Sequence, residues 1–264
     1  MRKEGLSRGR RSLAGLRVDG NAHAGSRRPP ICSGSAPTPS AGLPPTTSSG
    51  WTSSALRRQI EEDLRLGHQP FLVVGTAGSV STGVVDPLPE IAAICREHEL
   101  WFHVDGAYGA LAAQAPGSPA SLRALSEADS VAVDPHKWLY APLEAGCVLV
   151  RDAATLRDAF SYHPAYYHFD DQVVNYFDYG PQNSRGFRAL KVWLALRQVG
   201  ARRLSEDDRG RHAAREASPS AAWRSIPSSR RRRQSLSITT FRYVPPDLQA
   251  AARIRDGRRA ISTS

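Results

Sequence analysis

Apolar residues recur with clear periods in the middle of this chain and lose them towards both ends. Leu56, Ile60 and Leu64 repeat every four residues behind Ser53 and Ser54, either of which can cap a helix. The spacing predicts a helix over 55–66, stopped by Gly67. Phe71-Leu72-Val73-Val74 is a short unbroken apolar run, the pattern of a strand buried on both faces. Residues 75–83 are small and read as a loop. Ile91, Ile94 and Cys95 line one side of a second helix over 89–98, where Pro89 in the first turn costs nothing. Residues 101–104, 130–133 and 146–150 read as further strands. A helix over 187–197 carries Leu190, Val192, Trp193, Leu194 and Leu196. Residues 161–183 are rich in Tyr, His and Asp without a period and read as an aromatic loop. Late in the chain, 236–244 alternates like a strand.

Helices alternating with short strands are the pattern of an α/β fold with a mainly parallel sheet. Such sheets bind ligands at the carboxyl ends of their strands. Thr76, Asp105 and the pair His136-Lys137 each fall just past a strand end, so this topology brings them to one edge.

Composition divides the 264 residues further. The net charge is +10, yet residues 55–203 hold 14 Lys and Arg against 17 Asp and Glu, so the basic charge lies in the flanks. Residues 1–54 are low in complexity and rich in Arg, Gly, Ser and Pro. They bury too little to offset ordering and are expected to be disordered. Residues 204–234 read as an Arg-rich irregular linker. The run Arg230–Arg233 suits a solvated tail better than a nucleic-acid site. Cys32, Cys95 and Cys147 form no even framework and no CxxC pair, which points to a reducing, cytoplasmic setting. Cys95 and Cys147 lie in apolar contexts and are expected to be buried. No apolar run approaches the roughly 20 residues of a membrane span, the N-terminus lacks a secretory apolar region, and no metal-ligand cluster stands out.

The chemistry concentrates in two motifs. Only three lysines occur, Lys3, Lys137 and Lys191, and one of them sits in Asp134-Pro135-His136-Lys137-Trp138. Upstream lies His103-Val104-Asp105-Gly106-Ala107. A turn lysine and a strand-end aspartate suit pyridoxal phosphate. The amine forms a Schiff base with the aldehyde, and the carboxylate keeps the pyridine nitrogen protonated. Plainer readings exist for each: a solvated lysine, a helix-capping Asp105, a Thr76 that satisfies loop backbone.

Four motifs together resemble the pyridoxal-phosphate-dependent group II decarboxylases, the family of the aromatic-L-amino-acid decarboxylases. They are Gly75-Thr76 with Thr82-Gly83 and Asp86-Pro87; the Asp105 motif through Tyr108; the Lys137 motif; and Asn183-Ser184-Arg185-Gly186-Phe187-Arg188-Ala189-Leu190-Lys191. The similar stretch runs over 55–203. The resemblance implies the large domain of a type I, aspartate-aminotransferase-like fold, and a homodimer with its sites at the subunit boundary. Lys137 takes the role of the Schiff-base lysine, with burial leaving its amine reactive. Asp105 pairs with the ring nitrogen, Ala107 lies against a ring face, Thr76 supports the cofactor beside Asp105, and His136 holds the cofactor and substrate carboxylate region. Tyr166, or its neighbour Tyr167, protonates the carbanion left by carbon dioxide.

The implied reaction is decarboxylation of an L-amino acid, an aromatic one. Upstream, the family's phosphate loop and ring-stacking histidine have no secure match, although His23 lies at about the right distance. Residues 235–264 are similar to a remnant of the family's small C-terminal domain. The expectation is therefore a truncated or frame-disrupted member, with a catalytically inactive fragment as the alternative and an Arg-rich nucleic-acid binder as a more distant one.

Overall fold

The computed structural model describes residues 13–17, 41–42, 53–115, 117–163, 173–200, 202–204, 206–207 and 229–243. Two short strands come first, β1 (Leu13–Arg17) and β2 (Ala41–Gly42). Both fall within 1–54, the stretch whose composition leads to an expectation of disorder. Their sequences have little apolar period of their own; pairing beside a longer strand supplies the backbone bonds that make them strands.

Helix α1 (Ser53–Arg65) follows as its period demands and ends at Gly67, whose φ of +78° is a conformation that glycine adopts without strain. Strand β3 (Gln69–Thr76), helix α2 (Leu88–Glu97), strand β4 (Trp101–Asp105) and strand β5 (Ser130–Val133) complete the body. The short helix α3 (Pro135–Trp138) leads to strand β6 (Cys147–Val150). The sheet order is β2-β1-β3-β4-β5-β6. Its pairs are parallel from β2 to β5, and β6 is antiparallel to β5.

The core lies on one side of this sheet. Val73 of β3 with Phe102 and Val104 of β4 pack with Leu56 and Ile60 of α1 and with Leu88, Ile91, Ile94 and Cys95 of α2. Each such side chain contributes about 1.5–3 kcal/mol through burial. Gly75 lies among them: a Cβ there would come within 2.9 Å of Leu88 and 3.2 Å of Ile91, so its bareness lets α2 approach β3. Burial of the Cys95 thiol, with the charge of Asp129 nearby, pushes its pKa up to about 12. The opposite face is different. Leu72, Val74, Trp101, His103 and Asp105 are only half-buried, so the 71–74 run expected to be buried on both faces is well covered on one.

Helix α4 (Ala153–Phe160) begins inside a stretch that shows no strong apolar period. Asp152 starts it by accepting a 2.9 Å hydrogen bond from the Ala154 N–H. A further helix, α5, spans 188–200. Strands β7 (Ser229–Ser235) and β8 (Ile238–Tyr243) form an antiparallel hairpin turning at Leu236-Ser237. The Arg-rich run expected in an irregular linker is thus part of β7. Its register with β8 supplies backbone pairing that composition does not announce. Cys147 also departs from expectation: it is exposed, because no element among the described residues covers β6. No helix among the described residues is long and apolar enough to cross a membrane.

Candidate active site

Parallel register brings the predicted residues to one edge. Thr76 at the end of β3 stands opposite Asp105 at the end of β4, and Asp105 stands opposite Ala132 of β5. Five residues beyond Ala132 the chain reaches Lys137. Neighbouring strands lie about 4.8 Å apart, so Thr76, Asp105 and the turn that carries Lys137 share the carboxyl edge of three adjacent strands.

Thr76 is fixed through its backbone. Its N–H donates to Asp86 Oδ2 at 2.7 Å, and the Asp86 N–H donates back to the Thr76 carbonyl at 2.9 Å. Its hydroxyl Oγ1 is buried and has no hydrogen-bond partner among the described residues. Buried hydroxyls are nearly always paired, and an orphan costs about 1–3 kcal/mol. A polar ligand beside Asp105 would satisfy this one. Asp105 is half-buried, with Oδ1 3.4 Å from the Ala107 N–H. The Gly106 N–H donates to the Ala132 carbonyl at 3.0 Å, and a Cβ on Gly106 would collide with Ala110. Glycine there lets the turn after Asp105 fold tightly against β5.

The lysine turn is built from Asp134. The Lys137 N–H donates to the Asp134 carbonyl at 2.9 Å. The Lys137 Nζ lies 2.7 Å from Asp134 Oδ2. The side chain of Lys137 is 42% exposed, not buried as the family role suggested, because the turn lies at the rim and an acidic neighbour holds the amine. His136 Nδ1 lies 3.0 Å from the Ala145 carbonyl and 3.1 Å from its N–H, so the ring is anchored with either tautomer. Trp138 is buried and meets the ring of Tyr108 edge-on, centroids 5.5 Å apart. Tyr108 in turn shares a short hydrogen bond with Ser237 at the hairpin tip. Beside it Leu236 is buried against the Gly78 and Gly109 backbone, and Ser235 Oγ donates to the Gly83 carbonyl at 2.7 Å. The hairpin tip therefore braces the loops that follow Thr76 and Asp105, and reaches the Lys137 turn through the contact of Tyr108 with Trp138.

Thr76, Asp105, Ala107, His136 and Lys137 thus lie on neighbouring loops, while Tyr166, Tyr167 and His23 lie outside the described residues. Sequence reading missed the Asp134–Lys137 pair, although its i, i+3 spacing is the signal for such contacts. It also missed the link from Tyr108 to Ser237, which spans 129 residues and has no local signal. Near the expected aromatic loop, Asp178 is buried in a cluster. It accepts from Ser161 Oγ at 2.8 Å and lies 2.8 Å from His163 Nε2. Burial works to raise its pKa, but the bonds from Ser161 and His163, with the charges of His163 and Arg157, outweigh this and hold it below the usual carboxylate range.

Residues 43–216 match the pyridoxal-dependent decarboxylase conserved domain, and the chain belongs to that family. It is 36% identical over 212 residues to an aromatic-L-amino-acid decarboxylase of Bacillus atrophaeus, covering 77% of this chain and 43% of that protein. Its fold is similar to Oryza sativa TDC solved with PLP and tryptamine, with a TM-score of 0.80 and 25% identity, covering 92% of this chain and 51% of that one. Catharanthus roseus tryptophan decarboxylase in complex with L-tryptophan gives a TM-score of 0.75 at 28% identity, covering 89% of this chain and 49% of that one. The chain spans about half the length, or less, of the relatives it matches.

Proposed function

We propose that this chain carries the cofactor-binding part of a decarboxylase for L-amino acids, aromatic ones in particular, that works with pyridoxal phosphate. The observation that carries the reading is the buried, unpartnered Thr76 hydroxyl in register with Asp105, on the strand edge that leads into the Lys137 turn. Names of relatives that act on aromatic amino acids support the substrate class.

In this reading Lys137 holds the cofactor aldehyde through its amine. Asp105 keeps a proton on the ring nitrogen, which leaves the ring positively charged. Bound pyridoxal phosphate supplies an electron sink for the pair left on the substrate Cα when its carboxylate departs as carbon dioxide. Thr76 donates or accepts beside Asp105 and removes the cost of its own burial. Ala107 leaves room for a flat ring because its side chain ends at Cβ. His136 stands beside the lysine, its ring fixed by Ala145, and faces the substrate carboxylate region. Tyr166, rather than the adjacent Tyr167, delivers the proton to Cα. The same reading takes the protein as a cytoplasmic homodimer, to which the exposed Val148 and Leu149 of β6 and Trp193 and Leu194 of α5 give support.

A second reading is a non-catalytic remnant, which these same uncovered apolar side chains favour. One experiment separates them. Purified full chain is mixed with pyridoxal phosphate, the absorbance is recorded, and carbon dioxide release is measured with L-tryptophan and L-tyrosine. A near-visible band lost in Lys137→Ala, with carbon dioxide released, supports the enzyme. A band without release supports the remnant. No Lys137-dependent band ends the cofactor assignment.

A further inference from the structure

Asp134 stands at the N-cap of α3, where an aspartate carboxylate ordinarily accepts a backbone N–H of the first turn. This one makes no such bond. The backbone carbonyl of Asp134 takes the Lys137 N–H instead, and its side chain turns to the lysine amine. Oδ2 lies 2.7 Å from Lys137 Nζ and 3.8 Å from His136 Nε2. Asp134 is 22% exposed and Lys137 42%, so the pair is partly shielded yet open to a ligand. The residue that best caps this helix is thus spent on restraining its one amine.

That restraint opposes the chemistry assigned to Lys137. An amine nitrogen attacks an aldehyde with its lone pair, and an ammonium that donates to a carboxylate has none to offer. We propose that Asp134 is a latch: it parks Lys137 in the cofactor-free protein and slows capture of the aldehyde. The proposal rests on the reading of Lys137 as the cofactor lysine. In capture a carbon–nitrogen double bond forms between Nζ and the aldehyde carbon and the carbon–oxygen double bond breaks. The oxygen leaves as water with two of the three ammonium protons. The third remains on nitrogen, so atoms and charge balance with no further reagent. Before any of this Nζ must leave Asp134.

The test follows the rate of band formation with pyridoxal phosphate, then traps the adduct with borohydride and locates the added mass. Asp134→Asn keeps the shape and removes the charge. It is expected to capture about fivefold faster than the natural chain at low salt, as suits a partly exposed pair. Asp134→Glu keeps the charge and stays slow. Raising salt to about 0.5 M narrows the gap between the natural chain and Asp134→Asn, because screening weakens the latch only where the latch exists. Pyridoxal without its phosphate separates the latch from simple repulsion of the phosphate by Asp134. The latch predicts the same acceleration with both aldehydes; acceleration with the phosphate alone overturns it. Equal or slower capture by Asp134→Asn, with mass still added at Lys137, overturns the latch and leaves the cofactor reading standing. No mass at Lys137 in the natural chain ends both. If Asp134→Asn fails to fold, the salt response of the natural chain decides: capture that slows or stays constant with salt, for pyridoxal, overturns the latch.

Discussion

Strands β4 and β6 invert the rule that the more apolar segment is the more buried. β6 reads Cys-Val-Leu-Val, with no polar side chain, and three of its four residues are exposed. β4 reads Trp-Phe-His-Val-Asp, and its Phe102 and Val104 are almost fully buried. The difference lies in neighbours. β4 has a parallel strand on either side and α2 across its Phe102 face. β6 has β5 on one edge and no described helix against either face, and α4 buries none of its own residues. Burial is a property of the assembled layer, and the strand's own hydrophobicity only permits it. The site follows the same division: Thr76 and Asp105 end the well-packed strands, while Lys137 stands at the rim, on the way from the packed region to the open one.

The sharpest way to break this comparison is to empty the packed side. Phe102 is 1% exposed and central to the core, so Phe102→Ala should destabilise the protein by about 3–5 kcal/mol. A urea midpoint that barely moves would mean that the β4 face is not the folding core.

Next in size is a substitution at the join between the body and the hairpin. A Cβ on Gly109 would collide with the Ala77 carbonyl and with Leu236. Backbone cannot swing aside as a side chain can. Gly109→Ala should cost about 1–3 kcal/mol and lower the thermal midpoint. If it does not, the hairpin tip does not seat on this loop.

These two residues also mark how far the sequence could be read. The strand that holds Phe102 was legible because a short apolar run is a local signal, and so were the positions of Asp105 and Lys137, since each ends or follows such a run. Leu236 was legible as apolar but not as the wedge beside Gly109, because nothing within a few residues encodes a contact from so far along the chain. Helix α4 was missed because Ala153–Phe160 has few large apolar residues; its sign was the capping Asp152. The exposure of Cys147 and Leu149 was illegible for the reason that separates β6 from β4. The rim position of Lys137 was missed as well: the resemblance implied burial, and the motif that holds Asp134 does not say that its carboxylate meets the amine.

A smaller effect comes from acid. Asp178 is held ionised by Ser161 and His163, so its pKa lies lower in the folded chain than in the unfolded one. A carboxylate lowered in this way stabilises fully above its unfolded value, and that contribution fades as pH falls through the folded value. Asp178→Asn removes the titrating group and keeps the shape. The natural chain should be the more stable at pH 7, with the difference closing below about pH 4. A difference that is constant from pH 7 to pH 3 would show that the ionised carboxylate contributes nothing.

The smallest effect is expected on the open side, and there a near-zero result is the informative one. Leu149 is 56% exposed on β6, in register with Val131 of β5. Leu149→Thr keeps a β-favouring side chain and removes apolar surface that already meets water. In protein dilute enough to be monomeric, the urea midpoint should shift by less than about 0.5 kcal/mol. At higher concentration the outcome depends on whether a second copy covers this face. If one does, the natural chain's midpoint rises with concentration and the variant's rises less, because association stabilises only what it buries. A cost of about 2 kcal/mol in the dilute monomer would instead mean that part of the same chain packs on β6. The contrast between β4 and β6 would then be one of degree.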